Sequence, residues 1–177
     1  MRTLVDQLAN YAAYHRDPRN VVTHFIGIPM IVVAVAMLLS RPVFGTLAGV
    51  ALSPALAVVL ASGAYYLALD RRFGLVMAAL LAASLAAGQW AAAEPTAVWL
   101  AWGGGLFVVG WAIQFLGHVF EGRKPAFVDD LMGLLIGPLF LVAELAFMAG
   151  WRAPVQREIE ARLQAAPRPP AGGVAAA

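Results

Sequence analysis

Three histidines are the residues of this chain best suited to metal chemistry. His15 and His24 lie near the start of the 177-residue sequence, and His118 lies in its second half. The chain has no cysteine, so nitrogen and oxygen atoms must supply every ligand of a metal site. Imidazoles with carboxylates nearby suit iron that is used in oxygen chemistry, and zinc accepts the same ligands. We therefore predict that the three histidines bind one catalytic metal, with iron and zinc both open at this stage.

Two carboxylates compete as the remaining protein ligand. Glu121 follows His118 by three residues, and side chains three apart share a face if this stretch is helical. Asp129 lies farther on, beside Asp130, which we interpret as the N-cap of the next helix. Glu121 is a candidate catalytic residue, and Asp129 is otherwise a supporting residue beside the metal. The choice between them stays open.

Two amides lie one helical turn before two of the histidines. Asn20 precedes His24 by four residues, and Gln114 precedes His118 by the same spacing. Residues four apart are neighbours on a helix, so each amide can bond the ring nitrogen that does not bind metal. Asn20 and Gln114 are therefore predicted to hold the ligating imidazoles in one tautomer.

These residues need a scaffold that suits lipid. Hydrophobic residues make up 62% of the chain and charged residues 12%, whereas soluble domains are roughly half apolar and a quarter charged. We predict a single integral membrane domain over residues 1–166, followed by a disordered tail over 167–177 that is rich in Pro, Gly and Ala. The fold class is all-α, a polytopic helical bundle of four to five transmembrane helices.

The hydropathy pattern places the helices along the chain. A short amphipathic helix opens the sequence, with apolar residues at helical spacing from Leu4 to Ala12, and Asp17-Pro18 breaks it. Residues 43–52 are apolar but too short to cross, unless 43–69 forms one long, proline-kinked helix. Whether the fifth segment crosses or re-enters at Pro138 also stays open. The five predicted membrane segments and a final amphipathic helix cover 21–39, 54–70, 73–93, 96–116, 131–149 and 155–165.

The number of spans puts all three histidines at one face of the membrane. Four crossings separate His24 from His118, and His15 precedes the first span. Nine residues of unbroken helix would hold His15 and His24 roughly 13 Å apart on different faces, and the break at Pro18 removes that obstacle. One histidine near a membrane surface is commonly a polar anchor, but three at one face favour a site.

Two segments around the histidines form longer motifs. The first runs from Tyr14 to Asn20 and adds His24 and 26–29, and the second comprises 111–117, His118, 120–121, 123–126 and Asp129. Both resemble the motifs of the Mpo-type 2-hydroxy fatty acid dioxygenases, which are membrane-bound, non-haem iron enzymes. Together with the pattern of spans, the resemblance covers residues 4–150.

The resemblance implies an Fe(II) enzyme that uses dioxygen to convert a 2-hydroxy fatty acid into carbon dioxide and a fatty acid one carbon shorter. It carries over His15, His24 and His118 as iron-ligand candidates. Glu121 transfers less directly, because one more residue separates the histidine from the glutamate in the fungal pattern.

Arg123 and Lys124 follow the second motif at the predicted membrane interface. They are candidates to bind the substrate carboxylate, or they serve only to orient the protein. Basic residues before the fifth segment lie inside except Arg41 if the N-terminus is cytoplasmic. The expected location is therefore a bacterial inner membrane, with the metal site at the cytoplasmic face. The arginines flank apolar spans and form no basic stripe, so no nucleic-acid partner is expected.

Other function classes compete with the oxygenase. A small membrane transporter or a lipid-binding protein without catalysis would carry polar residues near the middle of several spans, where Gln89, Gln114 and Glu144 are the main candidates. The polar residues concentrate instead at one face, which favours the enzyme. A zinc-dependent lipid hydrolase would use the same ligands as the oxygenase.

Overall fold

The described part of the chain folds into helices joined by short connections and one small hairpin. This computed structural model describes residues 2–122 and 131–165. The predicted all-α class is confirmed, and the predicted tail lies outside the described residues. The elements are α1 (Leu4–Ala13), α2 (Pro18–Leu39), β1 (Gly45–Leu47), β2 (Val50–Leu52), α3 (Pro54–Leu69), α4 (Arg71–Ala93), α5 (Thr96–Glu121), α6 (Met132–Met148) and α7 (Ala153–Ala165).

Three of the described helices, α2, α4 and α5, are long and apolar enough to cross a membrane. The pair α6 and α7 passes the same test as one segment bent by 114°, which makes it a broken span or a re-entrant loop. Helix α3 has 16 residues, which extend about 24 Å at the helical rise, somewhat less than the hydrocarbon core of a bilayer. The helices are therefore those of a membrane bundle.

Residues 43–52 do not continue into a long helix with the following segment. Strands β1 and β2 pair antiparallel, with Gly45 opposite Leu52. Ala48 and Gly49 form the turn with φ of 49° and 79°, the left-handed conformation that two-residue hairpin turns require. Ser53 then caps α3 through its side chain, with Pro54 at the first helical position. The hairpin therefore separates α2 from α3.

Helices α2 and α5 extend beyond their predicted apolar spans. Helix α2 begins at Pro18 rather than at Val21, and α5 continues past Leu116 to Glu121. Hydropathy marks only the apolar part of a helix, whereas a polar helical turn forms wherever its side chains find partners. The extra turns carry Asn20, His118 and Glu121, which are residues of the predicted site.

The described residues divide into two compact units, and helices α2 and α5 contribute to both. The first unit comprises the described residues of Met1–Phe25 and Ile113–Ala177. Within it, Thr3 caps α1 in a capping box with Asp6, and Asp6 also pairs with Arg162 of α7. Its largest fully buried apolar side chains are 1–2% exposed and come from α1 and α6: Leu8, Ile136 and Leu139.

The second unit comprises Ile26–Ala112, and glycines allow its helices to approach closely. A Cβ on Gly74 of α4 would lie 2.6 Å from the Leu67 Cα of α3. On α5, a Cβ on Gly110 would lie 3.1 Å from the carbonyl oxygen of Gly27. In the run Gly103-Gly104-Gly105, only Gly103 would meet another residue within 4 Å. Small residues thus support close helix packing in this unit.

An arginine joins the ends of α2, α4 and α5 in the second unit. The Arg41 guanidinium donates to the carbonyl oxygens of Ala92, at 2.8 Å and 3.0 Å, and of Glu94, and to Thr96 Oγ1 at 3.1 Å. It also lies 4.9 Å from the centre of the Trp99 ring. We call these residues the Arg41 cluster. It closes the C-terminus of α4, where helix carbonyls have no partner within the helix.

Candidate metal centre

The three histidines of the sequence meet in the first unit. His15 lies between α1 and α2, His24 in the second turn of α2 and His118 in the last turn of α5. Their ring centres are 4.5 Å apart for His15 and His24, 5.0 Å for His24 and His118, and 5.2 Å for His15 and His118. All three are buried, with exposed fractions of 5%, 2% and 7% in chain order. We call this set the histidine cluster.

His15 is held by the end of α1. Its Nδ1 donates to the carbonyl oxygen of Tyr11 at 2.8 Å, one of the last carbonyls of the helix. A carbonyl only accepts, so the proton lies on Nδ1 and Nε2 carries the lone pair. The Tyr11 ring stacks on His15 at 4.1 Å, and Phe140 lies 6.3 Å away. Burial lowers the pKa of His15 to about 4, so the ring is neutral near pH 7.

The orientation of His24 is set in the same way. Its Nδ1 donates to the carbonyl oxygen of Asn20 at 2.8 Å, which leaves the lone pair on Nε2. The main chain of Asn20 therefore orients this ring, while its side-chain amide donates to Glu121 Oε2 at 3.0 Å. Sequence reasoning selected Asn20 but expected the amide to bond the histidine.

Gly117 lets the end of α5 bring His118 to the other two rings. A Cβ at this position would lie 2.5 Å from Asn20 Oδ1 and 3.2 Å from Thr23 Cβ, so a larger residue would force α5 away from α2. Gln114, one turn earlier, is 4% exposed. Its Nε2 has no hydrogen-bond partner among the described residues.

Glu121 binds the start of α2. Its carboxylate accepts the main-chain N–H of Arg16 at 3.0 Å and 3.1 Å and that of Asp17 at 2.9 Å, besides the Asn20 amide. These donors lie at a helix N-terminus, where a negative charge is favourable. Its oxygens are not among the ligand atoms that converge with the three histidines. The other predicted site residues, Arg123, Lys124 and Asp129, lie outside the described residues, as does the predicted cap Asp130.

An open groove of about 640 Å³ adjoins the cluster at His15. Its other lining residues lie in α1, around the start of α2, and in α6 and α7. The apolar ones are Ala12, Val21, Phe140 and Leu163, and the polar ones are Arg16, Glu144 and Gln164. Sequence reasoning did not find this groove, because α6 and α7 carry no motif and their approach to α1 is a long-range contact.

The histidine cluster fits a metal ion by the chemistry of its donors. One ligand atom from each ring lies within 4.8 Å of the other two. Nitrogens that bind one ion at about 2.1 Å lie at most about 4.2 Å apart, which is about 0.6 Å below that upper limit of 4.8 Å. His15 Nε2 is buried and has no hydrogen-bond partner among the described residues. A buried acceptor without a partner is unfavourable, and a bound cation would satisfy it.

Sequence comparison with known proteins places the chain in a family. The sequence model of the family described as 2-hydroxy-palmitic acid dioxygenase Mpo1-like matches residues 1–149. The chain belongs to the Mpo1-like family. It is also 31% identical, over 163 residues, to the 2-hydroxy-palmitic acid dioxygenase MPO1 of Saccharomyces cerevisiae. That alignment covers 91% of this chain and 90% of the yeast protein. No solved structure matches the chain.

Membership of the Mpo1-like family confirms the resemblance that the two histidine motifs suggested. The matched residues extend over α1 to α6, so the family match includes all three members of the histidine cluster. Helix α7, which contributes Leu163 and Gln164 to the groove, lies beyond it.

Proposed function

We propose that this protein is an Fe(II)-dependent dioxygenase that shortens a 2-hydroxy fatty acid by one carbon. The observation that carries the proposal is the histidine cluster, in which two Nδ1–H groups are bonded to main-chain carbonyls. The rings therefore offer lone pairs toward one another in a buried site. The match to a family whose yeast member is named for 2-hydroxy-palmitic acid supplies the substrate class.

The proposed reaction is balanced without another co-substrate. The 2-hydroxy acid and one dioxygen give the shorter fatty acid, carbon dioxide and water. The hydroxyl-bearing carbon becomes the new carboxyl carbon, the bond to the old carboxyl breaks, and the substrate supplies all four electrons that reduce dioxygen. Neither a nicotinamide nor a 2-oxo acid is required.

The cluster would hold iron through His15, His24 and His118. Bound Fe(II) would supply open coordination positions at which a hydroxy acid and dioxygen can meet. The carbonyls of Tyr11 and Asn20 keep two of the rings in the ligating tautomer, as supporting partners of metal ligands commonly do.

Other parts of the first unit support the chemistry. Glu121 ties the segment between His15 and α2 to the end of α5, and thereby keeps two ligands in place. The apolar wall of the groove would receive the start of the acyl chain. We also propose that the cluster lies at the cytoplasmic face of a bacterial inner membrane, since the basic residues concentrate on that side of the predicted spans.

Metal analysis combined with turnover tests the proposal. The protein is purified in detergent without oxygen, its iron and zinc are measured, and Fe(II), dioxygen and 2-hydroxypalmitate are added. We expect pentadecanoate and carbon dioxide in equal amounts, with one dioxygen consumed for each. Palmitate, which lacks the hydroxyl, is the control substrate and should give no product.

Two results would contradict the proposal. Wild-type protein that is fully stable and binds neither metal would remove the metal centre. Zinc-loaded protein that cleaves a lipid ester in the absence of dioxygen would instead support the hydrolase.

A further inference from the structure

The groove beside His15 is lined by a positively charged side chain next to apolar side chains. Among its lining residues Arg16 carries the positive charge, and Ala12, Val21 and Phe140 are apolar. We propose that Arg16 binds the carboxylate of the substrate and so orients the head of the hydroxy acid beside His15. This inference rests on the proposed function, because it concerns the substrate of that reaction.

The main chain of Arg16 is anchored, whereas its side chain is available. The N–H of Arg16 donates to Glu121 at 3.0 Å and 3.1 Å, which holds the residue between His15 and the start of α2. The side chain is exposed, and within the described part of the chain its guanidinium makes a long hydrogen bond, 3.5 Å from Nη2 to the carbonyl oxygen of Leu163. A guanidinium has five N–H donors, so most of them remain for a ligand.

The chemistry of the groove fits an amphipathic anion. A guanidinium binds a carboxylate through two parallel, charge-assisted hydrogen bonds, and apolar side chains accept an acyl chain. Arg16 follows His15 directly in sequence, and both line the groove. A carboxylate bound at Arg16 therefore places the neighbouring hydroxyl-bearing carbon close to the histidine cluster.

Glu144 provides an internal contrast. It comes from α6, is half-buried and lines the same groove. A carboxylate in this position opposes an anionic ligand, whereas Arg16 attracts one. Substitutions that neutralise the two residues should therefore change the affinity for a carboxylate in opposite directions.

Equilibrium binding without oxygen tests the inference on the iron-loaded protein. The probes are 2-hydroxypalmitate and 1,2-hexadecanediol, which keeps the hydroxyl and the chain but lacks the carboxylate. We expect Arg16→Gln to weaken binding of the acid by about 10- to 100-fold and to leave binding of the diol unchanged. Arg16→Lys should give an intermediate loss, because it keeps the charge without the planar fork. Glu144→Gln should tighten binding of the acid alone.

Iron content is measured in each variant. It should equal that of wild type, since the main chain of Arg16 makes the bond to Glu121. If Arg16→Gln loses iron, Arg16→Lys still supplies the test, and it must lower the preference for the acid over the diol several-fold.

Other outcomes would overturn the inference. Equal weakening of acid and diol would indicate a structural role for Arg16, and unchanged acid binding would remove the role altogether. Loss of the acid preference in Arg123→Gln or Lys124→Gln, but not in Arg16→Gln, would assign the carboxylate to those residues. Arg16-dependent binding without pentadecanoate formation would contradict the proposed function and leave this inference standing.

Discussion

The histidine cluster and the Arg41 cluster are both polar sites built at helix ends, and they differ in how their atoms are satisfied. Arg41 donates to two main-chain carbonyls and one hydroxyl, and its guanidinium carbon lies 4.9 Å from the centre of the Trp99 ring. The histidine cluster leaves His15 Nε2 buried without a hydrogen-bond partner among the described residues. The Arg41 cluster is closed by its own neighbours, whereas we propose that a bound metal completes the histidine cluster.

This difference supports a structural role for the Arg41 cluster and the proposed metal-binding role for the histidine cluster. Buried polar groups in native proteins are almost always bonded, so an exception needs an explanation. The histidine cluster is such an exception, because His15 Nε2 is buried and has no hydrogen-bond partner in the described part of the chain. A metal ion bound as we propose would satisfy this atom. The Arg41 cluster needs none, since it satisfies carbonyls that a helix end leaves open.

The largest effect is expected from removing a member of the histidine cluster. His24→Ala should lower iron content to background and reduce turnover at least about 100-fold, more than the loss of a supporting residue typically costs. Thermal unfolding of the metal-free protein should show a loss of about 1–3 kcal/mol, because the buried ring and its hydrogen bond to the Asn20 carbonyl are removed. Ser84→Ala, which removes a buried hydroxyl bonded to the Leu80 carbonyl, is the control and should retain iron. Full iron binding by His24→Ala would contradict the metal-binding role and leave the histidine cluster with a structural role, like that of the Arg41 cluster.

Arg41→Ala should have the converse effect. Loss of the guanidinium leaves the carbonyls of Ala92 and Glu94 without their donor, which should destabilise the protein by about 2–4 kcal/mol. Iron per folded molecule should stay at the wild-type value. Thermal unfolding in detergent and metal analysis measure the two quantities. The exposed Arg157 of α7 provides the control, Arg157→Ala, and a similar loss there would show that charge alone matters.

Glu121→Gln sharpens the comparison within the first unit. A glutamine side chain keeps one acceptor oxygen, so the bonds to Arg16 and Asp17 cannot all persist. Iron affinity should fall by about 10- to 100-fold, as for other supporting partners of metal ligands. A loss as complete as that of His24→Ala would make Glu121 a direct ligand, and no loss would exclude both roles. Glu158→Gln, at an exposed glutamate bonded to Arg162, is the matched control.

The smallest effect is expected from one added methyl group. Gly117→Ala would push against Asn20 and Thr23, and should cost about 1–2 kcal/mol of stability with a weaker iron affinity. Gly104→Ala on the same helix adds a Cβ that meets nothing within 4 Å, so it should be neutral or slightly stabilising. Titration of Fe(II) into both variants measures the difference. Equal affinities would mean that the approach of α5 to α2 does not control the site.

Several parts of the fold were predictable because their signals are local. Apolar runs predicted the long helices, and the break at Pro18 predicted that His15 is not part of one continuous helix with His24. The ends of α2 and α5 were not predictable from hydropathy, because polar turns depend on partners such as Glu121. The hairpin at 45–52 was missed because its apolar residues resemble a membrane segment that is too short.

The sequence by itself determined the membrane class, the residue types available for a metal and the two motifs that indicate the family, since composition, period and spacing are written along the chain. Only the tertiary structure decided that Glu121 binds the main chain of Arg16 and Asp17, 105 and 104 residues away, and that α6 and α7 line a groove beside His15. Such contacts depend on how whole helices pack. Gly117, for example, sets the distance between α5 and α2, and no local pattern of hydrophobicity encodes that distance.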